Sequence, residues 1–391
     1  MTVRIGLERL AEQPRTWIPR GVRVGLLMNA ASVDQGFRSA RDVVAGVPGV
    51  ELRALFGPQH GVLADVQDNM VETPHATDPE LGIPVWSLYA DRREPSPEML
   101  QGLDVLLVDL WDVGCRVYTF AWTLRLAMEA CGRAGVRVLV LDRPNPLGGT
   151  VEGNCPKPAW RSFVGLEPIP MRHGLTLGEL ARWFVAARGV ACDLDVVPVA
   201  GWRRSILWPE VGRPWVMPSP NMPTFDTALV YPGTVLLEGT TASEGRGTTR
   251  PFEIVGAPWI RPEALAASLN RAGLPGVVFR PVVFRPTFQK WAGRPCGGVH
   301  VHVTDLRAFR PYRTGLWILK ALWEQGHGQG FGWRPPPYEY ENERLPIHLL
   351  LGDEGIRRAI EQGVEPEEME RSWQDDLERW GAETRAVRLY P

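Results

Sequence analysis

One stretch of the chain, residues 231–258 (YPGTVLLEGTTASEGRGTTRPFEIVGAP), concentrates residue types that could do acid–base chemistry. It carries three acids and two arginines: Glu238, Glu244, Glu253, Arg246 and Arg250. Glycines and small polar residues surround them, so the segment is poor core material and favours a loop that passes close to a ligand. The charges could instead neutralise one another at the surface. The density of carboxylates and turn formers favours one wall of an active site.

A second set of candidate residues follows apolar runs that predict buried parallel strands, at 22–27, 50–56, 105–110 and 136–141. Each run ends in polar, turn-forming residues: Asn29 and Ser32; Gln59 and His60; Asp112, Arg116 and Tyr118; Asp142 and Asn145. Turn chemistry alone accounts for any one of them. Because ligands of open α/β sheets bind beyond the carboxyl ends of the strands, the four ends together predict the other wall of the site.

These elements predict an α/β fold with two domains. Residues 1–200 are expected to form a Rossmann-like, doubly wound parallel sheet, and residues 201–391 a smaller α/β C-terminal domain, with the active-site cleft between them. The boundary is placed where the composition shifts to Trp, Arg and Pro, at 201–217. In the second domain we expect a short strand at 235–237, a helix at 262–272, and strands at 277–284 and 299–303. Asn221, between two prolines, is expected to point in a fixed direction.

The composition excludes several classes of function. A net charge of −2 over 391 residues offers no basic field for nucleic acid. The five cysteines are an odd number at scattered spacings, which argues against a disulfide scaffold or a zinc site. No run reaches the ~18 apolar residues of a membrane span, and the N-terminus lacks the apolar core of a signal peptide. We therefore expect a cytoplasmic protein, unless a signal segment has been removed.

Cofactor and metal signatures are also missing. No GxGxxG follows the first strand and no GxxxxGK[ST] occurs, so no nucleotide cofactor is expected. GxSxG and HExxH, the serine-hydrolase and zinc-protease signatures, are absent as well. His300 and His302 alternate onto one face of a predicted strand, but no third ligand stands at a metal-like spacing, so a metal site is not favoured.

The remaining inventory of carboxylates, amides, histidine and aromatic residues suits a carbohydrate partner. Amides and carboxylates bind hydroxyl groups, and aromatic faces cover the C–H surface of a sugar. Carboxyl groups can also do acid–base work on a glycosidic oxygen, normally as a pair. Glu244 is the first candidate for one member of the pair. Candidates for the other are Asp112, Glu253 and Glu238.

Five segments in consistent order resemble those of a known family. They are FGPQHGV at 56–62, DLWDVGCRVYTF at 109–120, LDRPNPLGG at 141–149, SPNMPTFDTALVYPGT at 219–234 and EGTTASEGRGTTRPFEIVGAPW at 238–259. On these the chain is identified as a member of the DUF1343 proteins, the NamZ-type exo-β-N-acetylmuramidases. The resemblance implies a glycoside hydrolase that releases N-acetylmuramic acid from the non-reducing ends of peptidoglycan fragments, without a redox cofactor. Its partner would be a small glycan or muropeptide.

One position departs from the family pattern. The second strand end usually reads P-E-H-G, and its glutamate is the expected catalytic residue, but this chain has Gln59 there. An amide cannot act as a general acid or as a carboxylate nucleophile. The chemistry could then rest on Glu244 and Asp112, or on the substrate's 2-acetamido group with Gln59 orienting it. Alternatively, the chain could be a non-catalytic protein that binds or senses muropeptides.

The resemblance gives the remaining candidates their roles. His60 is expected to assist catalysis, and Arg116 or Arg246 to pair with the lactyl carboxylate that distinguishes muramic acid from N-acetylglucosamine. The other residues expected to bind substrate are Asn29, Tyr118, Asn221 and Glu253. The tail from 335 to 391, which begins with three prolines and continues as charged helices, predicts no chemistry.

Overall fold

A computed structural model describes residues 3–391. Its strands are β1 Val22–Met28, β2 Val50–Gly57, β3 Ala76–Thr77, β4 Pro84–Ser87, β5 Val105–Asp109, β6 Arg137–Leu141, β7 Leu194–Val197, β8 Ile254–Ala257, β9 Val277–Phe284 and β10 Cys296–Val303. Its helices are α1 Gly6–Glu12, α2 Pro14–Trp17, α3 Ala40–Ala45, α4 Pro97–Leu100, α5 Phe120–Ala134, α6 Leu177–Arg188, α7 Trp208–Val211, α8 Phe225–Thr234, α9 Pro262–Arg271, α10 Pro311–Gly326, α11 Pro346–Leu351, α12 Glu354–Glu361, α13 Pro366–Glu370 and α14 Gln374–Thr384.

The larger sheet has the order β3-β4-β2-β1-β5-β6-β7. All its pairings are parallel except that of β3 with β4 at the edge. Without β3, the strands stand in the Rossmann order, and the order reverses between β1 and β5. The predicted doubly wound parallel sheet is therefore confirmed, and ligands of such sheets bind at this reversal.

Alternation along β1 explains why helices cover both faces. Val24 and Leu26 belong to a core cluster with residues of α1 and α3, whereas Leu27 belongs to the cluster that contains α5 and α6. Successive side chains of a strand point to opposite faces, so an apolar residue at every position requires a covering layer on each side.

One predicted strand end has a structural role. The Asp142 carboxylate accepts hydrogen bonds from Thr176 Oγ1 at 2.7 Å and from the Gly178 amide at 2.8 Å, and so fixes the first turn of α6. Thr176 and Glu179 form a capping box at the start of that helix. Burial raises the pKa of Asp142 to about 7. Asp142 thus anchors a helix and does not line the pocket described below.

The second half has a small antiparallel sheet of order β8-β10-β9, with α9 and α10 beside it. The strand predicted at 235–237 is wrong: α8 runs to Thr234 and continues as a 3₁₀ turn, Val235–Gly239. Thr224 caps α8, and the backbone of Gly233 crosses Gly315 of α10 so closely that a Cβ at Gly233 would lie 2.0 Å from a carbonyl oxygen. A short apolar run does not distinguish a strand from a buried helix, and here packing against α10 decides.

The predicted boundary at residue 200 lies between the two sheets, but a single apolar core cluster joins residues of both halves. The division into 1–200 and 201–391 remains a prediction. Within residues 3–391, no helix combines the length and the apolar content needed to cross a membrane.

Candidate active site

A polar pocket of about 470 Å³, including its open mouth, lies beyond the carboxyl ends of β2 and β5. Both the sheet and the second half contribute to its wall. The lining residues are Gln59, His60, Asn69, Val117, Tyr118, Thr119, Phe120, Val164, Ser219, Asn221, Met222, Tyr231, Glu238, Arg246, Phe252, Tyr338 and Glu339. The position agrees with the rule for open α/β sheets.

Four side chains at the pocket are joined by hydrogen bonds and form no ion pair with one another. We call them the neutral cluster: Gln59, Thr119, Tyr89 and Glu339. Thr119 Oγ1 donates to Gln59 Oε1 at 2.8 Å, and Gln59 Nε2 donates to Glu339 Oε1 at 3.1 Å. The Tyr89 hydroxyl donates to Glu339 Oε2 at 2.7 Å. Burial raises the pKa of Glu339 to about 7, although both hydrogen bonds act in the opposite direction.

Two acids and two bases in alternation form a second group, Glu238, Arg246, Glu244 and Lys290, which we call the charged cluster. Arg246 Nη2 lies 2.7 Å from Glu238 Oε1, and Arg246 Nε lies 3.4 Å from Glu244 Oε1. Lys290 Nζ lies 2.8 Å from Glu244 Oε2. The four charges sum to zero, which is how a buried ionic group avoids a large desolvation cost.

Within the charged cluster, only Glu238 and Arg246 line the pocket. Glu238 Oε2 accepts from the Tyr338 hydroxyl at 2.6 Å and from Asn69 Nδ2 at 3.4 Å. Arg246 Nη1 is buried and makes no hydrogen bond to any residue from 3 to 391. The pocket wall therefore offers an anchored carboxylate beside a guanidinium whose Nε and Nη1 make no hydrogen bond within residues 3–391.

Glu244, the first catalytic candidate from the sequence, lies behind this wall and does not line the pocket. Burial opposes its ionisation, but the Lys290 ammonium and the Arg246 guanidinium outweigh burial and lower the pKa of Glu244. Lys290 is itself held by the carbonyl oxygens of Leu237 at 2.8 Å and Ala242 at 3.0 Å. Glu244 is thus placed to fix the orientation of Arg246.

His60 lines the pocket in the neutral form. Burial lowers the pKa of His60 to about 4, and the nearby Arg246 guanidinium acts in the same direction. His60 Nδ1 lies 2.8 Å from the Val66 carbonyl oxygen, which can only accept, so Nδ1 carries the proton and Nε2 is free to accept one hydrogen bond.

Tyr118 and Asn221 also line the pocket, as the sequence predicted. The Tyr118 hydroxyl is buried with no ordinary hydrogen-bond partner in the described chain, and burial raises its pKa. Asn221 Nδ2 donates to the Gln67 carbonyl oxygen at 2.7 Å, and Asn221 Oδ1 accepts from Gln67 Nε2 at 3.3 Å. The two prolines and this double contact keep the amide in one orientation.

Asp112 and Arg116 do not line the pocket. Asp112 Oδ2 accepts from the Gly114 amide at 2.6 Å and lies 3.6 Å from His173 Nε2. The Arg116 guanidinium is fully buried and donates to the carbonyl oxygens of Asn154 at 2.6 Å and Leu350 at 2.7 Å. Arg116 therefore ties the first half to α11, because both of its Nη nitrogens donate to backbone carbonyl oxygens.

Asn29 and Glu253 also lie outside the pocket lining. Asn29 joins the ends of β1 and β5, because its Oδ1 accepts from the Trp111 amide at 3.1 Å while its Nδ2 donates to the Pro218 carbonyl oxygen at 3.0 Å. Glu253 accepts from Thr227 Oγ1 at 2.6 Å. Both residues hold pocket-bearing segments in place.

His300 and His302 lie side by side, with ring centroids 3.9 Å apart, but the Arg280 guanidinium lies 3.2 Å from a ring nitrogen of each. A cation in that position repels a metal ion. Across residues 3–391, no group of three or more potential ligands could hold a metal ion.

Glu339 was not among the predicted site residues, because it lies in the tail where no chemistry was expected. Glu339 is 5% exposed and lies 280 positions from Gln59, the residue that its side chain contacts. The available signal was YEYE at 338–341, where aromatic and acidic residues alternate directly after three prolines. The pocket thus contains two carboxyl groups in opposite environments, which is the arrangement that separates a proton donor from a permanent anion.

The chain is similar to known proteins over nearly its whole length. The model of one protein family, "Exo-beta-N-acetylmuramidase NamZ, N-terminal", matches residues 24–226. The model of a second, "Exo-beta-N-acetylmuramidase NamZ, C-terminal", matches residues 229–390. Peptidoglycan beta-N-acetylmuramidase NamZ of Bacillus subtilis (strain 168) is 41% identical over 372 residues, which is 95% of this chain and 87% of that protein.

Two crystal structures of DUF1343 family proteins from Bacteroides fragilis NCTC 9343 have the same fold. One superposes with a TM-score of 0.89 at 33% identity, and the other with a TM-score of 0.78 at 26% identity. Each match covers 100% of this chain and 99% of the other. This chain therefore belongs to the NamZ exo-β-N-acetylmuramidase family, as the five sequence segments predicted.

Proposed function

We propose that this chain is a glycoside hydrolase that releases N-acetylmuramic acid from the non-reducing ends of peptidoglycan fragments. Family membership supports the reaction, and the composition of the pocket supports the sugar. Neutral His60, Asn69 and Asn221 supply hydrogen-bonding groups for hydroxyl and acetamido substituents. No nucleotide or metal is needed for hydrolysis by paired carboxyl groups.

The observation that carries the choice of sugar is the free donor of Arg246. Its Nη1 is buried in the pocket wall, and N–H groups of a guanidinium seek a carboxylate. Muramic acid brings such a group on its lactyl ether, and N-acetylglucosamine does not. Because the charged cluster is neutral overall, a substrate carboxylate meets no excess negative charge there.

Glu238 is the proposed permanent anion. Arg246, Tyr338 and Asn69 all donate to its oxygens, so the carboxylate is fixed in the pocket wall. Positive charge develops at the anomeric carbon as a glycosidic bond breaks, and a preorganised carboxylate stabilises that charge. Glu244 and Lys290 contribute by holding Arg246 in position.

The test measures release of free N-acetylmuramic acid from the disaccharide N-acetylmuramic acid–N-acetylglucosamine, followed by mass spectrometry. A parallel assay compares the nitrophenyl glycosides of N-acetylmuramic acid and N-acetylglucosamine. Arg246→Lys should lower kcat/KM for the muramide by about 10- to 100-fold, because a charge-assisted hydrogen bond is lost. The value for the glucosaminide should change much less.

Arg250→Lys is the matched control, because Arg250 is in the same loop, contacts Glu253 and does not line the pocket. Its activity should equal that of the wild type. Equal losses on both glycosides in Arg246→Lys would reject the lactyl assignment. Tight binding of the disaccharide without turnover by the wild type would favour the alternative of a muropeptide-binding or sensing protein, which rests on Gln59.

A cytoplasmic location and a small-glycan partner complete the proposal. All five cysteines are free thiols, which suits a reducing compartment. Cell fractionation of the native host with an antibody against the chain tests the location, and recovery outside the cytoplasm would contradict it.

A further inference from the structure

A carboxyl group faces the pocket beside Gln59, and no part of the predicted site supplied it. Glu339 lines the pocket and is 5% exposed. Its Oε1 accepts from Gln59 Nε2 at 3.1 Å, and its Oε2 accepts from the Tyr89 hydroxyl at 2.7 Å. The Gln59 amide is therefore in direct contact with the carboxyl group of Glu339, a residue from the C-terminal part of the chain.

Thr119 determines which way the Gln59 amide points. The Thr119 hydroxyl donates to Gln59 Oε1 at 2.8 Å, so Gln59 Nε2 is the atom that faces Glu339. Each Glu339 oxygen retains a second lone-pair direction for a proton. Gln59 thus orients the carboxyl group without competing for its proton.

The surroundings of Glu339 let it exist in both protonation states near neutral pH. Burial raises its pKa to about 7, the Glu238 carboxylate acts in the same direction, and Tyr89, Gln59 and Arg93 act in the opposite one. A group that must give a proton and then recover one works best when its pKa lies near the working pH.

The backbone holds Glu339 in an uncommon conformation. Glu339 and Tyr340 have φ values of 45° and 68°, in the left-handed region that residues with a Cβ seldom adopt. Two backbone hydrogen bonds of 2.9 Å between Tyr338 and Glu341 close this turn. Conformations of this kind persist where the surrounding structure enforces them, and they cluster at functional sites.

We propose that Glu339 is the catalytic acid of this chain, and that Gln59 is its positioning residue. The inference rests on the proposed glycosidase function. As the bond between the anomeric carbon and the glycosidic oxygen breaks, the Glu339 proton passes to that oxygen and the next sugar leaves as an alcohol. Water supplies the new hydroxyl group at the anomeric carbon, and its other proton restores Glu339, so hydrolysis is balanced.

The test uses leaving groups that differ in their need for a proton. Glu339→Gln keeps the shape and removes the acid. It should lower kcat for the disaccharide by about 100- to 10,000-fold, the usual contribution of general acid catalysis. For 2,4-dinitrophenyl N-acetylmuramide, whose phenolate leaves unprotonated, the loss in the bond-breaking step should be far smaller.

A swap provides the second variant. Gln59→Glu combined with Glu339→Gln moves the carboxyl group to the other side of the 3.1 Å contact and should restore at least about a tenth of the disaccharide activity lost in Glu339→Gln. Glu343→Gln is the control, since Glu343 is exposed four positions away. It should behave as the wild type.

The outcomes separate the two proposals. If the wild type hydrolyses neither substrate, the proposed function fails and takes this inference with it. If the wild type is active and Glu339→Gln retains disaccharide activity, or loses both activities equally in a folded protein, only the assignment of the acid is overturned. Glu339→Asp, which keeps a carboxyl group at position 339, is measured alongside the swap. If Glu339→Asp is active on the disaccharide and the swap is not, the positioning role of Gln59 is overturned.

Discussion

The neutral cluster and the charged cluster both contribute side chains to one pocket, and each contains a buried carboxyl group. Glu339 accepts hydrogen bonds from an amide and a phenol, and burial raises its pKa to about 7. Glu244 is equally buried but is flanked by Lys290 and Arg246, and its pKa is lowered. The contrast teaches that partners, more than burial, decide whether a buried carboxyl group keeps its proton.

This difference also assigns roles. A carboxyl group whose proton is available near neutral pH suits proton transfer, whereas one locked in an ion pair suits electrostatic stabilisation and positioning. The two clusters meet through Glu238, which raises the pKa of Glu339 and accepts from Arg246. Changing one cluster should therefore change the protonation of the other.

The largest effect in this comparison is expected at Glu238, the pocket-lining carboxylate of the charged cluster. Glu238→Gln removes the anion proposed to stabilise the anomeric carbon, so kcat/KM should fall on the order of 1,000-fold for the disaccharide and for the dinitrophenyl muramide alike. Steady-state kinetics on both substrates makes this measurement. Selective retention of dinitrophenyl activity, the pattern expected for Glu339→Gln, would erase the proposed distinction between the clusters.

The second prediction concerns stability. Glu244→Gln leaves the buried Lys290 ammonium without its carboxylate and should lower the free energy of unfolding by about 3–5 kcal/mol. Adding Lys290→Met should recover much of that loss, because it removes the uncompensated charge. Urea unfolding followed by circular dichroism measures both.

Glu263→Gln serves as the control for this series, since Glu263 is exposed in the first turn of α9 and should change stability by less than about 0.5 kcal/mol. The 2.8 Å contact indicates that Glu244 and Lys290 are energetically coupled. If the double variant is no more stable than Glu244→Gln alone, that coupling is contradicted.

Most of the large sheet was predictable because its central strands contain apolar runs that are buried on both faces. The runs ending in Gln59 and in Asp112 identified β2 and β5, and β9 was predicted with its observed bounds, Val277–Phe284. The edge strand β3, its neighbour β4 and the short β8 lack a long apolar run and were missed. The strand prediction at 235–237 failed because a short apolar run does not reveal packing against α10 and α11, which lie far along the chain.

The candidate site was predictable only where strand ends or loops aim residues into the pocket. Gln59, His60, Tyr118, Asn221 and Arg246 are brought together there. Asn29, Asp112, Arg116, Glu244 and Glu253 are not in its lining, because their side chains bind neighbouring backbone or charged groups. These side-chain contacts cannot be predicted from a single sequence. The same holds for the contact between Glu339 and Gln59, which lie 280 positions apart in the chain.

The smallest expected effect is a shift in a pH profile. Hydrolysis of the disaccharide should decline as pH rises through about 7, because Glu339 then loses the proton that it must donate. Tyr89→Phe removes a hydrogen bond that favours the carboxylate form, so the decline should move to higher pH. Measuring kcat/KM from pH 5 to 9 for both proteins makes the comparison.

The other charged groups near Glu339 are the same in the wild type and in Tyr89→Phe. Glu238 raises the pKa of Glu339 and Arg93 lowers it, and neither charge is removed in Tyr89→Phe. Arg93 packs over the Tyr89 ring, with its guanidinium carbon 4.4 Å from the centroid, and phenylalanine preserves that ring. The shift is therefore due to the hydroxyl alone. If the decline stays at the wild-type pH in Tyr89→Phe, or is equally strong for the dinitrophenyl muramide, the titrating group is not the acid of the neutral cluster.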